Sequence, residues 1–137
     1  MRFIFVIFLL LAAFHARAAD LLRVAVVGNA PPMSYVGDNG QLTGFNVELA
    51  RALCEVLEAR CEFKPHPLNE VVDVVARGQV DFAVVSLLVT PERRSKVLFT
   101  QPVYRSVSVW LSAQPFPATV VPPRPVTVVQ GSVQQAY

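Results

Sequence analysis

Histidine and cysteine are scarce, with two of each in 137 residues. His15 and His66 lie far apart, and neither belongs to a histidine or acidic cluster at ligand spacing, which argues against a metal centre. No Gly-x-Ser-x-Gly turn is present, so a Ser–His–Asp hydrolase would lack its nucleophile elbow. Excess charge of one sign is also missing: 12 basic residues face 10 acidic ones, with no basic stripe. Nucleic acid is therefore a poor candidate partner. After the N-terminal stretch no apolar run approaches the ~20 residues needed to span a membrane.

What is present begins with an export signal. Met1-Arg2 is a short positive start, Phe3 to Phe14 is an uncharged apolar run, and Ala16-Arg17-Ala18 supplies a small-x-small cleavage pattern. That arrangement predicts a secretory signal over 1–18, cleaved after Ala18. Removing Arg2 and Arg17 leaves ten basic and ten acidic residues, a formally neutral mature chain. Export places Cys54 and Cys61 in an oxidising compartment, which favours a disulfide over two free thiols.

The mature chain reads as alternating strands and helices. Leu22 to Val27 is a buried strand that stops at Gly28-Asn29 and Pro31-Pro32. Met33 to Val36 is a short strand followed by an Asn39-Gly40 hairpin turn. Val47, Ala50, Leu53, Cys54 and Leu57 recur at helical spacing, with Asn46 as the expected N-cap. Cys61 to Lys64 is a strand. Asn69 is the expected cap of a second helix with Val71, Val72, Val75 and Ala76 inward, ended by Gly78. Val80 to Ser86 is a further strand. Thr90-Pro91-Glu92 opens a short helix in the order cap, proline, acid. Val107, Val109 and Leu111 alternate in a strand expected over Val103 to Ser112. Five prolines between Pro115 and Pro125 mark a linker. Val126 to Gln130 is expected as a strand, turning at Gly131-Ser132 into a helix start. The βαβ order implies an α/β fold with a mainly parallel sheet and helices on both faces.

The order of several segments resembles family 3 of the bacterial extracellular solute-binding proteins. They are Ala30-Pro31-Pro32-Met33-Ser34-Tyr35, Gly40-Gln41-Leu42-Thr43-Gly44-Phe45-Asn46, Gly78-Gln79-Val80-Asp81, Leu87 to Arg94, Phe99 to Tyr104, and Val128 to Ser132. The cysteine spacing is similar to that of the lysine/arginine/ornithine- and histidine-binding members. The resemblance implies a periplasmic-binding-protein-like (type II) lobe. Lobe 1 then spans 19–112, a proline-rich crossover 113–125, and the start of a truncated lobe 2 126–137. It also implies a monomeric periplasmic protein that captures an amino acid or small carboxylate and serves an inner-membrane ABC permease, with no cofactor. A sensing input domain of a larger signalling or lytic enzyme, a cyclohexadienyl-dehydratase-like fragment, and a product without function are the alternatives.

By the same resemblance Arg93 grips the solute carboxylate, a task suited to a planar guanidinium with parallel N–H groups. Ser86 offers a hydroxyl and Leu88 a backbone N–H, at the strand end where open α/β sheets bind ligands. Ser132 and Val133 belong to a loop whose backbone N–H groups meet the same carboxylate. Ala30 and Leu68 stand where relatives contact the solute side chain. Basic-amino-acid binders carry an acid where this chain has Val27 and an aromatic ring where it has Ala30. A cationic side chain would find neither counter-charge nor ring there, so a smaller or more apolar solute is expected.

Overall fold

A computed structural model of the protein describes residues 20–109, 111–113 and 125–136. The expected signal over 1–18, Trp110 and residues 114–124 of the expected linker lie outside the described residues. In chain order the elements are β1 (Leu21–Val26), β2 (Asn29–Ala30), β3 (Ser34–Val36), β4 (Leu42–Thr43), α1 (Phe45–Val56), β5 (Arg60–Pro65), α2 (Val71–Ala76), β6 (Phe82–Ala83), α3 (Pro91–Lys96) and a 3₁₀ turn at Val133–Ala136.

β1 is the central strand of a parallel sheet ordered β5-β1-β6. Val24 lies opposite Phe63 on one side and Phe82 on the other. Successive strand side chains point to opposite faces, and β1 uses both. Val24 and Val26 pack with Val47, Ala50 and Cys54 of α1. Ala25 packs with Val71 and Val74 of α2 and with Val80. Each fully buried valine contributes about 1.5–3 kcal/mol by leaving water. A small antiparallel sheet, β2-β3-β4, sits beside this core. Its β3–β4 hairpin turns through Gly40, at φ 74°, as the Asn39-Gly40 pair predicts.

The cysteines are bonded: Cys54 near the end of α1 and Cys61 on β5 have Cα atoms 6.2 Å apart. Gly78, at φ 65°, follows α2 in the left-handed conformation expected of it.

Several expectations need correction. α1 has no side-chain cap. It starts at Gly44, and the N–H groups of Phe45 and Asn46 donate to the carbonyls of Pro32 (3.3 Å) and Met33 (2.7 Å). The β2–β3 loop does the work assigned to Asn46. Gly44 is required there, because at φ 112° a Cβ would meet both carbonyl oxygens at 2.7 Å. α2 is likewise preceded by Glu70 with no side-chain cap, not by Asn69. Its buried positions are Val71 and Val74, while Ala76 faces out. Leu53 on α1 and Leu57, just past its end, are exposed.

The strand expected over Val80 to Ser86 pairs only at Phe82–Ala83. Among the described residues no strand forms over Val103 to Ser112 or Val126 to Gln130. Alternation makes a strand only where a sheet edge takes it up. Here Val107, Val109 and Leu111 are 85%, 71% and 93% exposed.

Candidate functional site

The short helix α3 is fixed at its start. The Thr90 hydroxyl accepts from the Arg93 N–H at 3.2 Å, and Pro91 occupies the first turn. A threonine cap satisfies a backbone donor that the helix leaves open. It also fixes the backbone from which the Arg93 side chain leaves. The half-buried guanidinium donates from Nη1 to the Leu88 carbonyl at 2.9 Å and from Nη2 to the Gly131 carbonyl at 2.9 Å. It thus ties the loop after β6 to a segment 38 residues beyond Arg93 itself. Arg94, its neighbour, is exposed.

Gly131 makes the approach possible. At φ 75° it lies so close to Asn69 that an added Cβ would come within 2.7 Å of the Asn69 Cβ. The Gly131 N–H donates to Gln135 Oε1 at 2.7 Å, and the Ser132 N–H to the Val129 carbonyl at 3.1 Å. Gln134 Nε2 donates to Ser108 Oγ at 2.7 Å. The Ser132 hydroxyl is buried without a hydrogen-bond partner among the described residues.

Arg93 lies in an open cleft of about 530 Å³ between α2, α3 and the 131–135 segment. Leu68, Thr90, Arg93, Ser132 and Val133 line it, together with Asp73, Glu92 and Lys96. The charges are balanced, and Lys96 Nζ donates to Asp73 Oδ1 at 3.1 Å. The cleft thus offers one planar cationic donor, a hydroxyl and apolar wall, with backbone carbonyls occupying the guanidinium. An incoming carboxylate would replace a neutral carbonyl with a charged acceptor, adding Coulombic attraction and the option of a bidentate pair to bonds whose donor is already charged.

Four of the seven residues expected at the site, Arg93, Leu68, Ser132 and Val133, line this cleft. Ser86, Leu88 and Ala30 are not among its lining residues. Ser86 is exposed just beyond β6, and its Oγ accepts from Asn46 Nδ2 at 3.2 Å. Leu88 is 51% exposed and meets Arg93 through its carbonyl, where an N–H toward solute was expected. Ala30 is half-buried in β2, its carbonyl accepting from the Met33 N–H at 2.8 Å. The Val27 carbonyl accepts from the Ser34 hydroxyl. Sequence reasoning missed the Asn46–Ser86 contact, because Asn46 had been assigned to a cap. It also missed Asp73 and Lys96 beside the cleft, which carry no motif. Among the described residues no cluster of three or more histidine, cysteine or acidic side chains forms a metal site.

Known proteins resemble this chain in sequence, and solved structures resemble it in fold. ABC transporter arginine-binding protein 1 of Escherichia coli is 33% identical over 96 residues, 70% of this chain and 40% of that protein. The histidine-binding periplasmic protein of Salmonella typhimurium is 28% identical over 131 residues, 92% of this chain and 50% of that protein. Among solved structures, an ancestral amino acid-binding protein described as a precursor of cyclohexadienyl dehydratase superposes with a TM-score of 0.57. It is 35% identical, covering 60% of this chain and 36% of that one. The chain spans half or less of the length of these relatives. Residues 22–117, which hold the parallel sheet, its two flanking helices and Arg93, match the bacterial extracellular solute-binding proteins, family 3, and the chain belongs to that family.

Proposed function

We propose that this chain is the amino-acid-capturing portion of a periplasmic solute-binding protein that serves an ABC importer. The observation that carries the reading is the placement of Arg93. Its guanidinium spans from the Leu88 carbonyl to the Gly131 carbonyl in an open cleft. A solute carboxylate would displace Gly131 from Nη2 and draw the two segments together around itself. A ligand favours the closed state only through contacts that the open state lacks, and Arg93 supplies one. The same proposal includes the division into a signal over 1–18, lobe 1 over 19–112, a crossover over 113–125 and the start of lobe 2 over 126–137. Export to the periplasm agrees with the relatives' names and with the apolar N-terminal run.

The solute we propose is an amino acid without a cationic side chain. Two relatives are named for arginine and histidine. By the family resemblance, Val27 and Ala30, both half-buried, stand at the positions where binders of such solutes carry a counter-charge and a ring. Dehydratase chemistry is the second reading, favoured by the likeness to a dehydratase precursor. It needs a general acid over its substrate. Of the two carboxylates lining the cleft, Asp73 is ion-paired with Lys96, which leaves Glu92 for that role; the relatives named for binding favour binding as the first reading.

Calorimetric titration of L-glutamine, L-histidine and L-arginine into the chain tests this. L-Glutamine is expected to bind more tightly than L-arginine. Arg93→Ala is expected to weaken the bound solute by 30-fold or more, on the order of 2–5 kcal/mol for a truncated charge pair. Equal affinity of Arg93→Ala and the unsubstituted chain would refute the carboxylate assignment.

A further inference from the structure

Asn46 is 3% exposed in the first turn of α1, with no capping work to do. A buried amide needs a partner. Its Nδ2 finds one 40 residues away, donating to Ser86 Oγ at 3.2 Å. Ser86 itself is exposed. A serine hydroxyl has one proton to give and two lone pairs to receive. With one lone pair taken by the Asn46 amide, the proton remains for a group arriving from solvent.

We propose that Asn46 is a positioning residue that sets Ser86 as a hydrogen-bond donor toward a carboxylate or carbonyl oxygen of the solute. The proposal rests on the reading of Ser86 as solute-facing. An aspartate at 46 would reverse the polarity: it would take the Ser86 proton, leave only lone pairs outward, and place a negative charge behind them. Asn46 thereby selects for an acceptor at this point, a specificity that neither the hydroxyl nor its position supplies alone.

Two measurements decide this. In the ligand-free chain, side-chain amide exchange by NMR reads the contact directly. The Asn46 amide is expected to exchange at least tenfold more slowly than that of the exposed Asn69. Ser86→Ala, at an exposed position that leaves the core untouched, is expected to accelerate it. Exchange as fast as that of Asn69, unchanged by Ser86→Ala, overturns the proposal. Calorimetry with L-glutamine then compares Asn46→Asp, Ser86→Ala and the double variant. Asn46→Asp is expected to weaken binding about tenfold and to add nothing in the Ser86→Ala background. An equal penalty in both backgrounds shows a merely structural role and overturns it. Absence of binding by the unsubstituted chain overturns the functional reading instead, while the exchange measurement still decides whether Asn46 orients Ser86.

Discussion

At Asp81 one carboxylate holds two segments of the chain together. It accepts from the Arg23 backbone N–H at 2.7 Å and from the guanidinium at 3.0 and 3.2 Å, while Arg23 also reaches the Gly78 carbonyl at 3.1 Å. The hydrogen bonds from Arg23 hold the Asp81 carboxyl below its ordinary value of 3.8, and the same pairing raises Arg23. A depressed carboxylate stabilises the fold fully above its unfolded pKa and loses that contribution as pH falls through the folded value. Asp81→Asn is therefore expected to flatten the acid limb of the stability–pH curve below pH ~4, measured by urea unfolding at stepped pH. An unchanged acid limb would show that the pair adds nothing. Both partners are more than one-third exposed, so screening by salt is expected to shrink the effect. Sequence reading marked Arg23 only as part of the first strand and Asp81 only as part of a family-like segment. Their pairing is a tertiary fact, set by the parallel register of β1 and β6. The helix that carries Arg93 was legible because Thr90-Pro91-Glu92 announces it locally, while the role expected of Arg93 came from the family resemblance; the Asn46–Ser86 contact depends on how two distant segments pack.

Among the elements, α3 and the β3–β4 hairpin were readable because their signals are local: a threonine cap, a first-turn proline, an Asn-Gly turn. The starts of α1 and α2 were not. Gly44 brings the helix entrance against the Pro32 and Met33 carbonyls, which makes an N-cap side chain unnecessary. The alternating run 107–111 misled for a related reason, since alternation describes the side chains and says nothing of a partner edge. The α1–β5 junction was predictable from the oxidising compartment. Its disulfide joins Cys54, 6% exposed against the core, to the strand that neighbours β1. Replacing both cysteines with serine is expected to cost about 2–3 kcal/mol by releasing loop entropy to the unfolded chain. Chemical denaturation should register it as a lower midpoint with little change in the solute-binding constant. A fall in affinity as large as the fall in stability would mean that this junction also shapes the cleft.

For the whole molecule, the α/β class and the two-faced sheet followed from the βαβ order of apolar segments, and β1 uses both faces as that order requires. The cleft was only half legible. Arg93, Leu68, Ser132 and Val133 converge on it, while Ser86, Leu88 and Ala30 are not among its lining residues, and no local signal distinguishes the two groups. What unites the converging residues is the docking of Gly131 against Asn69 and Arg93, a contact that spans the proposed lobe 1 and the segment proposed to begin lobe 2. If capture of an amino acid by that pair of segments is the function, the native chain is stabilised by its solute, by RT ln(1 + [L]/Kd). The most direct measurement is thermal unfolding of residues 19–137 against a panel of L-amino acids and small carboxylates. An upward shift of the midpoint with one solute, absent in Arg93→Ala, is the expected result. A cooperative transition that no solute moves would contradict capture by this chain.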